Sequence, residues 1–164
     1  MTLVTRFSEV DAVKAKKIKR KVGDVLHIDL GGGTFSVAVV LKEPLIAFYN
    51  CFFTEAQKVD FTLDCPALFK LWVMNGAIES GRWRVVGNTV LNASMEEPQQ
   101  FFKQDPISKK YSLTVDGEDG QIVSKEACEG LERAAVWSAE HVEDRLRDFH
   151  AGVPNKWVES LKLV

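Results

Sequence analysis

The most regular pattern in this sequence is the spacing of apolar residues between positions 138 and 152. Successive apolar positions are three, four and three residues apart, which places their side chains on one face of an α-helix. These positions are Ala139, Val142, Leu146 and Phe149. Ser138 is a suitable N-cap, and Gly152 followed by Pro154 is typical of a helix end. The pattern therefore predicts a helix from Ser138 to Ala151, with the apolar stripe facing inward.

A two-residue alternation of side chains indicates strands in the first half of the chain. The segments VLHIDL, TFSVAVVL and LIAFYN follow one another, separated by Gly31-Gly32-Gly33 and Lys42-Glu43-Pro44, and they predict a bent antiparallel meander. Further strands are predicted at Leu68–Met74, Trp83–Val86, Gln100–Lys103, Tyr111–Val115 and Gln121–Ser124. A helix over Pro66–Ser80 competes with the first of these, because Pro66 suits a first helical position and Gly81 suits a helix end. We expect the strand.

These elements predict an α+β fold. Residues 22–124 form a small, bent, mostly antiparallel β-barrel or sheet, and the C-terminal helix packs on it. The opening Val22-Gly23-Asp24, the hairpin and the short strands are compatible with a barrel of the Src-homology-3 kind. Residues 1–21 are predicted to be a basic arm, flexible or helical, and residues 22–164 a single domain. With 164 residues and no long apolar run, we expect a cytoplasmic protein without a membrane span.

The formal net charge of −2 hides an uneven distribution of charge. Residues 1–21 carry seven basic and two acidic side chains, mostly in the run KAKKIKRK at positions 14–21. Residues 116–148 carry ten acidic and four basic side chains. Lysines on an arm can neutralise nucleic-acid phosphates, but this arm has no interleaved aromatic residues for stacking on bases. We favour a solvated arm and keep a nucleic-acid-associated module as the alternative function.

The segment DLGGGTF at residues 29–35 resembles a phosphate-binding loop of the actin-like and heat-shock-chaperone ATPases. Those enzymes need two lobes and a second loop, for which this chain is too short, and it contains neither G-x-x-x-x-G-K-[ST] nor G-x-G-x-x-G. Three glycines between two alternating segments are explained by a hairpin turn, because glycine adopts positive φ without steric cost. The sequence therefore favours a hairpin and no nucleotide.

Other candidate chemistry is weak. The acidic segment from Asp116 to Gly120 has glycine at the fifth position, where a calcium loop needs an oxygen ligand. Three cysteines without a C-x-x-C pair predict neither a disulfide framework nor a zinc site. The three histidines have no metal-binding spacing. We therefore expect no metal, no cofactor and no catalytic residues.

Several segments in one order resemble a known protein family. They are LIAFYN, ALFKLWVMNGAIESGRWRVVGN, QQFFKQDPISKKYSL and CEGLERAAVWSAEHVEDRLRDFHAGVPNKWVESL. From about Val22 to the C-terminus the chain resembles the immunity protein 26 family of bacterial polymorphic toxin systems; the basic arm lies outside this resemblance. The resemblance implies a non-enzymatic protein that binds and neutralises a cognate toxin. A basic nuclease is one class of toxin whose charge would fit an acidic face.

The predicted helix supplies the candidate partner-binding residues. If its apolar stripe faces inward, Glu140, Glu143, Asp144, Arg147 and Asp148 point to solvent. Glu143 and Arg147 have the spacing of a stabilising ion pair, which leaves a row of like charges four residues apart. This row is Glu140, Asp144 and Asp148, and its predicted extension is Asp116, Glu118 and Asp119. The row is either a solvated helix face or a surface that meets a basic toxin, and the second interpretation is the docking hypothesis.

Overall fold

The structure is a computed structural model that describes residues 16–54 and 64–164. The strands are β1 (Asp24–Asp29), β2 (Phe35–Val40), β3 (Leu45–Phe53), β4 (Ala67–Val73), β5 (Arg84–Asn88), β6 (Gln100–Gln104), β7 (Tyr111–Val115), β8 (Glu118–Val123), β9 (Glu132–Arg133) and β10 (Val136–Trp137). The helices are α1 (Gly76–Glu79), α2 (Ala93–Glu96), α3 (Ala139–Ala151) and α4 (Lys156–Leu161), with a 3-10 turn at Glu126–Cys128.

The strands of the described residues form two sheets. One has six strands in the order β10-β4-β3-β2-β1-β5, and the other has four in the order β8-β7-β6-β9. Every pairing is antiparallel except those of β10 with β4 and β9 with β6. The two parallel strands follow each other in the chain, so residues 132–137 join the edge of one sheet to the edge of the other.

The triple-glycine segment is the turn between β1 and β2. All three glycines have positive φ (81°, 62° and 79°) and are exposed. The turn is supported by a bond from the Gly31 amide to Asp29 Oδ1 (2.8 Å) and by a bond from the Leu30 amide to the Thr34 carbonyl (2.9 Å). The hairpin interpretation of DLGGGTF is therefore confirmed as local structure.

The six-stranded sheet is covered on both faces. Side chains alternate along β1 and β2, so that Leu26, Ala38 and Val40 belong to one core and Val25, Val37 and Val39 to the other. The first core also contains Val142 and Leu146 of α3, whereas the second contains Phe101 of β6 and Met95 of α2. The molecule therefore has three layers: helices, the six-stranded sheet, and the four-stranded sheet.

This architecture confirms the predicted α+β class and the mostly antiparallel pairing. The described strands form two open sheets and not a closed barrel, because β10 and β5 are separate edges and the second sheet covers a face without joining them. The sheet alternative therefore holds, and a Src-homology-3-like arrangement stays a prediction. The preferred strand near residue 70 is confirmed as β4, and the competing helix is reduced to α1. β8 begins at Glu118, three residues earlier than predicted.

The described part of the basic arm lies along the domain. Residues 16–21 have no regular secondary structure. Arg20 donates to the carbonyl of Leu45 (2.7 Å), and Lys17 lies 3.6 Å from the Glu79 carboxylate. Contact with the domain therefore begins before the predicted boundary at residue 22. The predictions for residues 1–15 lie outside the described residues.

Candidate partner-binding surface

Helix α3 carries three of the predicted partner-binding residues, and its ends are as predicted. The Ser138 side chain accepts a bond from the His141 amide (3.4 Å), and Gly152 ends the helix in the left-handed conformation (φ 71°). Ala139, Val142 and Leu146 are buried, but Phe149 is 46% exposed. The prediction that Phe149 faces inward is therefore wrong; its ring lies at the margin of the core, stacked on Phe52.

Glu143 was expected at the solvent face and is instead buried, with 5% of its surface exposed. Its carboxylate accepts two parallel bonds from Arg82, from Nε (2.7 Å) and Nη2 (2.8 Å). It also accepts a bond from Nε1 of Trp83 (2.9 Å), whose ring is fully buried. The hydrogen bonds to Glu143 are the main reason that the pKa of Arg82 is raised. Glu143 is thus a structural residue that ties α3 to the segment before β5.

Glu140 lies one turn earlier and remains accessible. Its side chain is 61% exposed, and its Oε1 accepts a bond from Nη1 of the same Arg82 (3.0 Å). The pKa of Glu140 is lowered, first by a hydrogen bond from its own backbone amide at the helix N-terminus and then by the charge of Arg82. Glu140 is therefore a charged, exposed carboxylate that is bonded to the side chain of Arg82.

Both carboxylate oxygens of Asp144, in the middle of the predicted row, accept hydrogen bonds from side chains of the same chain. Its Oδ1 accepts a bond from Arg147 (2.6 Å), and its Oδ2 accepts one from Nε1 of Trp157 (3.1 Å). These two bonds, in that order, lower the pKa of Asp144. Arg147 also donates to the carbonyl of Leu30 (3.0 Å). The predicted Glu143–Arg147 pair is therefore replaced by an Asp144–Arg147 pair, because Glu143 is buried against Arg82.

Asp148 accepts a bond from the side-chain amide of Asn155 (2.8 Å). Asn155 also caps α4, accepting bonds from the amides of Trp157 (3.1 Å) and Val158 (3.0 Å). Trp157 in turn stacks on His141 of α3, with ring centroids 3.5 Å apart. Two carboxylates of the row therefore help to fix α4, an element that the sequence pattern did not predict.

The second predicted group of acidic residues lies at the hairpin between β7 and β8. Asp116 and Gly117 form its turn with positive φ values of 52° and 81°, as a two-residue hairpin turn requires. Asp116 lies 3.7 Å from Lys42, and Asp119 accepts a bond from Lys103 (2.6 Å). Glu118 is exposed at the start of β8.

The structure does not bring the two acidic groups into one row. Helix α3 covers one face of the six-stranded sheet, whereas β7 and β8 belong to the sheet that covers the other face. We therefore define a helix acidic site (Glu140, Asp144 and Asp148) and a hairpin acidic site (Asp116, Glu118 and Asp119). The predicted extension from one to the other is not a continuous surface.

The described residues contain no group of three or more His, Cys, Asp or Glu side chains placed to hold a metal ion. Over the same ranges, no helix has the length and apolar character of a membrane span. The pKa of His27 is lowered by burial and by the neighbouring Arg84, which makes this histidine less basic than usual.

Comparison with known proteins identifies the family of this α+β domain. The sequence model of immunity protein 26 matches residues 21–113, which is more than half of the chain. The protein therefore belongs to the immunity protein 26 family. The match begins just before β1 and ends within β7, so α3 lies beyond the matched range. No curated protein and no solved structure matches this chain.

Proposed function

We propose that this protein is a cytoplasmic immunity protein that neutralises a cognate toxin by binding it, without catalysing a reaction. The observation that carries the proposal is membership of the immunity protein 26 family over residues 21–113. Expression beside the toxin gene should protect cells from the toxin, and the two proteins should co-purify. Active toxin in the presence of excess folded protein would overturn the proposal.

The chemistry of α3 supports binding. Its carboxylates bond to arginines, a tryptophan and an asparagine of the same chain, which are contacts that hold a surface in place. Acidic side chains that remain exposed can attract a basic partner and speed its association. A rigid acidic surface is what a non-catalytic inhibitor of a basic protein requires.

The helix acidic site is our proposed docking surface, but its members differ in availability. Both oxygens of Asp144 accept internal bonds, so replacing it would disturb the contact with Trp157. Glu140 accepts a bond from Arg82, and Asp148 accepts one from Asn155. We therefore assign partner contact mainly to Glu140 and Asp148. The hairpin acidic site is a separate candidate surface.

The docking proposal is tested by removing two negative charges at a time. The helix variant is Glu140→Gln with Asp148→Asn, and its matched control is Glu126→Gln with Glu129→Gln, two exposed glutamates beyond β8. A third variant replaces Asp116, Glu118 and Asp119 by their amides. Association with the cognate toxin is measured at low and high salt, alongside cell protection and unfolding.

If α3 is the docking surface, the helix variant should associate several-fold more slowly at low salt than the control, and the difference should shrink at high salt. The hairpin variant should then behave like the control after allowance for its third lost charge. Equal slowing of the helix variant and the control would mean that only overall charge matters, and would refute the docking assignment.

The alternative function uses the basic arm. Lys16, Lys19 and Lys21 are exposed, which favours contact with phosphates, although Arg20 is bonded to the domain. Binding to mixed DNA or RNA should be salt-sensitive and should disappear when the exposed lysines are changed to glutamine. Absence of such binding in the unmodified protein would exclude this alternative.

A further inference from the structure

Two cysteines that are distant in sequence lie opposite each other, Cys51 in β3 and Cys65 in the segment that leads into β4. In the antiparallel pair β3–β4, Tyr49 is the partner of Ala67, and the Asn50 amide donates to the Pro66 carbonyl (2.9 Å). Continuing this register by one residue places Cys51 opposite Cys65. Because the pairing depends on the register, the fourteen-residue separation in sequence gives no sign of it.

The geometry of this pair suits a cross-link. The bond at Asn50 and Pro66 marks a hydrogen-bonded position of the ladder, so the next pair, Cys51 and Cys65, is a non-hydrogen-bonded one. Such pairs have Cα atoms about 4.5 Å apart, within the range of roughly 4.4–6.8 Å that a disulfide spans. A cross-link at this position therefore needs little movement of the backbone.

The two side chains also point the same way. Both pack, half-buried, against the core cluster that contains Tyr49 and Phe53. Burial, and after it the neighbouring thiol of Cys65, raises the pKa of Cys51 to about 12. Both cysteines are free thiols in this structure.

We propose that Cys51 and Cys65 are a redox-sensitive dithiol that closes to an intramolecular disulfide when the protein meets a disulfide oxidant. One thiolate attacks a sulfur of the small-molecule disulfide and releases one thiolate. The second cysteine then attacks the mixed disulfide, forms the Cys51–Cys65 bond and releases the other. The protein loses two protons and two electrons, and the oxidant is reduced to two thiols.

Closure ties β3 to the segment just before β4. It restricts the unfolded chain over the segment between the two cysteines and so stabilises the fold. Disulfides in reducing compartments are usually transient or redox-sensing, which is the behaviour expected of a pair that is reduced at rest. The third cysteine is separate, because Cys128 is fully buried and its thiol donates to the Ser124 carbonyl (3.7 Å).

The full chain is tested by incubation with oxidised glutathione, followed by intact mass and a count of free thiols after denaturation. We expect a mass loss of two hydrogens, a fall from three free thiols to one, and reversal by a thiol reductant. The Tm of the oxidised monomer should rise by roughly 6–12 °C, from the entropy of closing a loop of this length. Closure should be faster at higher pH, because a thiolate must form first.

The variants make the test specific. Cys128→Ser should close like the unmodified protein, whereas Cys51→Ser and Cys65→Ser should stop at the mixed disulfide with glutathione. Peptide mapping should recover the Cys51–Cys65 link. Three free thiols after prolonged oxidation, a link to Cys128, or only intermolecular disulfides would each overturn the proposal. The thiol count on the unmodified protein decides the matter even if a serine variant fails to fold.

Discussion

Replacement of Glu143 by alanine should destabilise the protein far more than the same change at Glu140, although both carboxylates bind Arg82. Glu143 is 5% exposed and accepts bonds from Arg82 Nε (2.7 Å), Arg82 Nη2 (2.8 Å) and Trp83 Nε1 (2.9 Å). Glu140 accepts one bond from Arg82 (3.0 Å) and is 61% exposed in its side chain. The pair therefore compares a buried carboxylate that accepts three bonds with an exposed one that accepts a single bond from the same arginine.

The size of the destabilisation by Glu143→Ala follows from what the two hydrogen-bond donors, Trp83 and Arg82, lose when the carboxylate is removed. The Trp83 ring is fully buried, so its N–H would have no partner, at a cost of about 1–3 kcal/mol. The Arg82 side chain is 44% exposed and can be hydrated, so its share is discounted to the surface ion-pair range of about 1 kcal/mol or less. The free energy of unfolding should thus fall by about 1–4 kcal/mol, or roughly 2–16 °C in Tm.

Urea denaturation monitored by tryptophan fluorescence measures the difference in unfolding free energy between the Glu143 and Glu140 alanine variants. Thermal melting is a second observable. Glu143→Gln should fall between the two alanine variants, because it keeps an oxygen for Trp83 but loses the charge. A double-mutant cycle with Arg82→Ala should give a larger coupling to Glu143 than to Glu140. If the Glu143 and Glu140 alanine variants unfold at the same urea concentration, the structural role of Glu143 is refuted.

Three further predictions concern acid stability, backbone strain and nucleotide. The pKa of Asp144 is lowered, chiefly by its bond from Arg147, so its stabilising effect is present above the unfolded pKa of about 3.9 and is lost as the pH falls through the lower folded pKa. Asp144→Asn should therefore flatten the loss of stability below about pH 4 in urea titrations; an unchanged slope would contradict the assignment. Gly23→Ala should lower the Tm more than Gly32→Ala. Both glycines have positive φ, but a Cβ on Gly23 would lie 2.3 Å from the Thr89 carbonyl oxygen, whereas a Cβ on Gly32 would have nothing within 4 Å. Equal shifts in Tm would count against this reasoning. ATP with magnesium should leave the Tm unchanged, since binding at a hundredfold above its Kd would add about 2.7 kcal/mol; a rise that Asp29→Ala abolishes would contradict the hairpin interpretation.

The elements that could be predicted from sequence are those with local causes. Helix α3 follows from apolar spacing with an N-cap at Ser138 and a glycine at 152, and the structure has the same ends. The β1–β2 hairpin follows from alternation around three glycines, and β7 was predicted with its observed bounds. Each of these signals lies within the element that it predicts.

Features that depend on distant partners could not be predicted. Glu143 lies at a position that the helical pattern assigns to solvent. Its burial is favourable only because the fold places Arg82 and Trp83, about sixty residues earlier in the chain, next to its carboxylate. The two-residue strands β9 and β10 are too short for any periodicity, so the sequence pattern does not predict the division into two sheets. The pairing of Cys51 with Cys65 requires the register of β3 against β4.

The arginine contacts that hold α3 in place also determine how Glu140 and Asp148 can bind a partner. Arg82 binds Glu143 near the start of α3, Arg145 binds Glu132 (2.6 Å) in its middle, and Arg147 binds the Leu30 carbonyl farther along. A helix held at three points along its length presents Glu140 and Asp148 about 12 Å apart along its axis, with little entropy left to lose on binding. Arg147, whose side chain is 43% exposed, lies between them on the helix, so a uniformly basic surface would meet repulsion as well as attraction. The docking proposal therefore requires a toxin surface with two basic groups at that separation and a neutral or acidic group between them, which is a pattern that discriminates among partners more strongly than net charge does.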